Sequence, residues 1–204
     1  MRETSFYTAL VMVAFSIPIF VMLKKMNITR EEMGLTLNNW KKHTFSSVVI
    51  SAIFCLAAFL FQLFLINHIS IFQNIEIFRS YEQISFISIA PLIIIYIIFD
   101  SLQTFIINGA IQSPLLNNLH FKNKKIISIT VATVLFSYFH ISLGFSYVSF
   151  VILPTLLWSW MFVHYRSILP VYISHVMIGV WCLFILSYLD IIIVFQSYIL
   201  ESIR

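Results

Sequence analysis

The sequence predicts an all-α integral membrane protein, a polytopic helix bundle of about six transmembrane helices with a short C-terminal apolar segment. Three observations predict it. Of 204 residues, 60% are hydrophobic and 10% charged, and the mean hydropathy is +0.97. A soluble domain of this size carries roughly 25% charged residues, so too little polar surface exists here to cover a water-facing fold. The apolar residues fall into uncharged runs of about 20, the length that spans a bilayer. The lysines and arginines collect between alternate runs.

Ser5–Leu23 and Thr44–Asn67 are each long enough to span and carry no charge. Gln83–Leu119 runs for 37 residues with Asp100 as its single charge. At ~1.5 Å rise per residue it is too long for one straight span, so a helix is expected to end or bend near Gly109 and Pro114, followed by an interfacial piece. Ile126–Val163 is interrupted only by His140 and a soft "SLGFSY" turn and divides into two spans. Ser167–Leu189 contains only His175, and a short tail, Ile191–Leu200, follows Asp190. Arg2 before an apolar run raises a secretory signal peptide. Lys24 and Lys25 follow the run where small cleavage-site residues would stand, so a retained first span is expected.

Orientation follows from charge. Lys24, Lys25, Arg30, Lys41 and Lys42 lie in the first connection, Lys122, Lys124 and Lys125 in the third and Arg166 in the fifth, nine of the twelve basic residues. Arg2, Arg79 and Arg204 lie on the other side. The positive-inside rule then places the odd connections in the cytoplasm and the N-terminus outside, with the side of the C-terminus left open by the short tail. The expected location is a cell membrane, and the Ile-, Phe- and Asn-rich usage points to a low-GC bacterium. Without repeats or long linkers, residues 1–204 form one expected membrane domain. Cys55 and Cys182 both lie in apolar stretches and are expected to be buried structural thiols, not a disulfide framework.

Ionisable residues within spans are functional candidates. Asp100, His140 and His175 stand out, with Gln103, Thr104 and Asn108 as polar companions. Asp100, Gln103 and Thr104 are three and four residues apart and share a helix face, which Asn108 continues. A bundle that turned these faces inward would gather an acid, amides, a hydroxyl and two imidazoles in one pocket. The plain alternative is interhelical hydrogen-bond glue, worth ~0.6 to 2 kcal/mol per contact. Two histidines four apart with a glutamate would suggest a helical metal site. That signature is absent, and neither metal nor cofactor is expected. No aromatic-basic patch or glycine-rich phosphate loop suggests nucleic acid.

The order of these residues resembles the CPBP family, the CAAX-protease and bacteriocin-processing (Abi-type) intramembrane endopeptidases. That family shows Glu-Glu-x-x-x-Arg-Gly, then Phe-x-x-x-His, then His-x-x-x-Asn on successive membrane helices. Here "QTFIING" (Gln103–Gly109), "FSYFH" (Phe136–His140) and "HVMIG" (His175–Gly179) stand in those places. "ITREEMGLTLNNWKK" is similar to the family's loop after the first span, and "HYRSILPVYISH" to the approach to its third motif. The resemblance covers residues from about 28 to 180.

The resemblance implies a pocket where a glutamate, helped by a histidine, activates a water while a second histidine and an asparagine stabilise the oxyanion. This chain departs from it. Gln103 and Thr104 replace the glutamate pair, Asn108 the arginine and Gly179 the asparagine, while His140, His175 and Gly109 remain. Glutamine has no basic lone pair near neutral pH, and threonine is a poor base with no partner evident in the sequence. General-base catalysis supplies about 10²–10⁴-fold and an oxyanion donor about 10²–10³-fold. The expected protein is therefore a catalytically impaired pseudoprotease that binds a membrane partner, a peptide or a prenylated substrate within the bilayer. An active endopeptidase using Asp100 with His140 and His175 is the alternative, and a small carrier with these three as a proton relay is a third.

Overall fold

The computed structural model describes residues 28–78 and 86–202, with six scattered positions between 14 and 25. The expected first span, Ser5–Leu23, falls outside the described residues at all but four positions, as do Arg2, Arg79 and Arg204. Among the described residues the structure is helical, and its only β feature is an isolated antiparallel bridge between Phe78 and Leu186.

The first described segment is a turn closed by reciprocal bonds. The Thr29 N–H and hydroxyl donate to Glu32 Oε2 (2.8 and 2.9 Å), and the Glu32 N–H donates to Thr29 Oγ1 (3.2 Å). This is a capping box in "TREE", and its bonds hold the Glu32 carboxyl below the usual glutamate range. Three bonds pin the turn to distant parts of the chain. Gly34 O accepts from the Ile168 N–H (2.9 Å), Thr36 O from the Ser167 hydroxyl (2.9 Å), and Glu32 O from the Ser113 hydroxyl.

Helix α1, Trp40–His68, has 29 residues, about 44 Å at 1.5 Å each. Its buried residues are Ser47, Ser51, Gln62 and Leu65, whereas Phe45 (72%) and Ile53 (64%) are exposed. Polar inside and apolar outside is the pattern of a helix whose outer solvent is hydrocarbon. The Ser47 hydroxyl donates to Pro170 O, the Ser51 hydroxyl to Ser174 Oγ (2.7 Å), and the Gln62 amide to Ile77 O (2.7 Å).

Helix α2, Phe86–Thr104, runs without a break into a π-helical segment, Phe105–Gln112, and a last turn, α3, Ser113–Asn118. The helix therefore does not end at Gly109. The wider i→i+5 winding absorbs the excess length, and Pro114 sits in the first turn of α3, where its missing N–H costs least. Helix α4 is Lys124–Phe139 and helix α5 is Phe145–Tyr165. The expected division of 126–163 is present at residues 140–144. Gly144 makes it, with φ +105°, a backbone that side-chain-bearing residues rarely adopt.

Helix α6, Ile168–Val180, continues as a π segment, Trp181–Ile185, and helix α7 is Tyr188–Ser202. The last expected span is shorter than read, and the tail helix starts before Asp190. Leu186 turns extended to bridge Phe78, which stops α6, and Asp190 lies in the first turn of α7, where its charge suits the helix dipole. Among the described residues four stretches are long and apolar enough to cross a membrane: Trp40–His68, Ile89–Asn118, Phe145–Tyr165 and Ile168–Ile185. Helix α1 packs along α6, α4 along α5, and α6 also meets α2 and α5. Their shared core holds Ile106, Ala132, Phe136, Met161, Phe162 and Val171. Cys55 and Cys182 are free and half-buried at its margin, not fully buried.

Candidate active site

Position 100 lies in α2 and position 104 at its end, one turn apart, so both side chains point the same way. They meet α6. His175 Nε2 lies 2.7 Å from Asp100 Oδ1, and His175 Nδ1 is 3.1 Å from Thr104 Oγ1. All three are buried, Asp100 and Thr104 at 1% exposure and His175 at 4%. With Asp100 ionised its carboxylate only accepts, and the neutral His175 tautomer that suits it carries its proton on Nε2. In that tautomer the Nδ1 lone pair faces the Thr104 hydroxyl. The partner the sequence did not reveal for Thr104 is this imidazole.

Aromatic walls hold the ring. Trp158 of α5 stacks on His175 with 3.7 Å between centroids, and Phe136 of α4 meets it edge-on at 5.4 Å. The Trp158 Nε1–H is buried and has no hydrogen-bond partner among the described residues. Asp100 is likewise under-satisfied, since neither oxygen has a well-aligned donor there. The Tyr96 hydroxyl faces its carboxylate from one turn earlier on α2.

The other expected members are held differently, although His140 packs on the same Phe136 ring that meets His175. His140 caps the end of α4, with Nδ1 2.8 Å from Phe136 O and its ring packed on Phe136 (4.6 Å) and Tyr147 (5.6 Å). Asp100 is brought to His175 and Tyr96 and not to His140. Asn108 is buried, but its amide donates to Gln112 Oε1 (2.7 Å), and Gln112 in turn donates to Ser159 O of α5 (2.8 Å). The π winding at 105–112 changes the angular advance per residue, so Asn108 does not continue the Asp100–Thr104 face. Gln103 is half-buried. Direct contacts thus join an acid, a hydroxyl and one imidazole, with His140 next to them across Phe136.

Gly179 has a close neighbour. A Cβ there would overlap the Tyr96 hydroxyl and come within 2.6 Å of its ring Cζ. The space for a side chain at 179 is filled from α2. Tyr96 was missed in the sequence, although its place four residues before Asp100 was a legible signal. Trp158 and Phe136 gave none, being two aromatic residues among many. Gly109 is similarly close-packed, its missing Cβ facing Ile168 Cδ1 at 2.7 Å and Met33 O at 3.0 Å. Among the described residues no three His, Cys, Asp or Glu side chains converge as metal ligands would.

An apolar cavity of about 790 Å³ lies beside this cluster, between α1, α2 and α6. Ile93 and Ile97 line it on either side of Tyr96 in sequence, and Val176 and Val180 on either side of Gly179.

Residues 87–181 match the family model described as type II CAAX prenyl endopeptidase Rce1-like. The matched stretch opens in α2, closes at the start of the second π segment and contains all seven expected site positions, in accord with the resemblance carried by the motifs. No curated protein and no solved structure matches the chain.

Proposed function

We propose, from the premise of that CAAX prenyl endopeptidase match, that the chain is a membrane pseudoprotease: it binds an apolar peptide or prenylated segment and no longer hydrolyses it by activated water. The observation that carries the reading is Tyr96. Its hydroxyl stands where a donor side chain at 179 would reach, and Asp100, the one acid near the motif, lies against His175. With Gln103 and Thr104 in place of a base, both the base and the oxyanion donor are missing. Their combined loss is about 10⁴–10⁷-fold, or roughly 5–10 kcal/mol of barrier. The apolar cavity beside the cluster supports retained binding. By the same reading the basic connections face the cytoplasm.

The test is one preparation with two readouts. Purified protein in proteoliposomes is offered a photo-crosslinkable prenylated peptide and a leader peptide. Saturable crosslinking without multiple-turnover cleavage is expected. Turnover of either peptide that disappears in His175→Ala would sink the reading.

A further inference from the structure

We propose that Thr104 is a nucleophile, activated by His175 and positioned by Asp100, that accepts an acyl group from an activated ester borne on an apolar chain. This goes beyond the binding reading, since it assigns the buried cluster a chemistry that does not need a glutamate or a water-first attack.

The polarity of the contacts carries it. Asp100 Oδ1 lies 2.7 Å from His175 Nε2, and in the neutral tautomer with its proton on Nε2 the Nδ1 lone pair faces the Thr104 hydroxyl at 3.1 Å. A hydroxyl nucleophile, a base in hydrogen-bond reach and a third group orienting the base form the arrangement that activates weak nucleophiles. Interhelical glue would need only one bond between α2 and α6. Here both imidazole nitrogens are committed, in the sense that moves a proton off Thr104. The Trp158 ring lies against the same imidazole, and its buried Nε1–H has no partner among the described residues.

The step balances. Thr104 Oγ bonds to the ester carbonyl carbon as its proton passes to His175 Nδ1. The carbonyl–alkoxy bond then breaks, and the leaving alkoxide takes that proton as an alcohol. An acyl-threonine remains, with the acyl group held as the ester of the Thr104 hydroxyl. An ester fits better than an amide, because a single indole donor gives little stabilisation to a developing oxyanion and a good leaving group lessens that need.

Tyr96 controls access. It is half-buried, it closes the space in front of Gly179, and its sequence neighbours on α2 line the apolar cavity. A chain lying in that cavity reaches Thr104 when the phenol swings aside.

The experiment uses the full chain in detergent micelles with p-nitrophenyl butyrate and, separately, an alkyl fluorophosphonate, with adducts mapped by peptide mass spectrometry. An adduct on Thr104 is expected in the wild type, kept in Thr104→Ser, lost in Thr104→Val, and formed about 10²-fold more slowly in His175→Ala. Tyr96→Ala is expected to speed it several-fold. No Thr104 adduct in wild type, Thr104→Ser and Tyr96→Ala, all shown folded by circular dichroism, overturns the proposal, as does labelling confined to another residue. Neither result touches peptide binding, which the crosslinking assay reads on its own.

Discussion

Position 179 tolerates no side chain because Tyr96 already occupies the space in front of it. Overpacking a well-filled interior typically costs about 1–3 kcal/mol. Gly179→Asn should therefore lower the thermal midpoint in detergent, and adding Tyr96→Ala should recover most of the loss. The two changes should be strongly non-additive, since the residues share one volume. Equal, additive losses in the single and double variants would show that the two side chains do not compete. The same geometry bears on Gln103. Restoring a carboxylate with Gln103→Glu alone should leave peptide cleavage undetectable, because no donor stands at 179 and Tyr96 still fills its place. A glutamate variant that cleaves with multiple turnovers would contradict this.

The division at His140 and the spans of α1 and α5 were legible because charge and glycine mark them, and the shared face of Asp100 and Thr104 was legible from helical spacing. The π segments were not. Nothing in "FIINGAIQ" distinguishes i→i+5 from i→i+4 bonding, and it is the wider winding that sends Asn108 to Gln112 instead of His175. Which histidine Asp100 would meet was equally hidden, since that depends on how α4 and α6 pack on α2. The amide chain Asn108–Gln112–Ser159 ties the π segment to α5, and Gln112→Ala would leave the Asn108 amide without its acceptor and cut that tie. A loss of about 1–3 kcal/mol is expected, read as a drop in the unfolding midpoint in a steric-trap or denaturant assay; no change would mean the segment is held by packing alone. The capping-box turn offers a pH test. Because Glu32 is held below its unfolded value, the turn's extra stability is present above the ordinary glutamate range and is lost as pH falls through the depressed value. Amide exchange at Met33 and Gly34, corrected for intrinsic rates, should rise on acidification in the wild type and be high at every pH in Glu32→Gln.

Across the whole molecule the distribution of polarity is inverted. Leu56, Ile53 and Phe61 are exposed on α1 while Ser47, Ser51 and Gln62 are buried, and the same holds for α2, where Ile94 and Ile98 face out and Asp100 and Thr104 face in. An exposed isoleucine on a soluble protein can become lysine at a cost within about 0.5 kcal/mol. In a bilayer, lysine at a helix centre costs about 2.5–3.5 kcal/mol. Ile53→Lys should therefore sharply reduce insertion of α1 in a glycosylation-reporter assay, whereas Trp40→Lys, at the helix start, should leave it unchanged. Equal insertion of both would place α1 outside the hydrocarbon.

The seryl contacts of α1 also set a clock. Lipid gives helices little hydrophobic reason to associate, so α1 finds its register against α6 through Ser47 on Pro170 and Ser51 on Ser174, partners separated by 123 residues. At roughly 5–20 residues per second of synthesis, α1 waits about 6–25 s in the bilayer before α6 exists. During that interval the Ser51 hydroxyl can rest on the Ser47 carbonyl of its own helix, 2.7 Å away. The helix is thus equipped to stand alone as it is made and keeps that private contact when Ser174 arrives to share it.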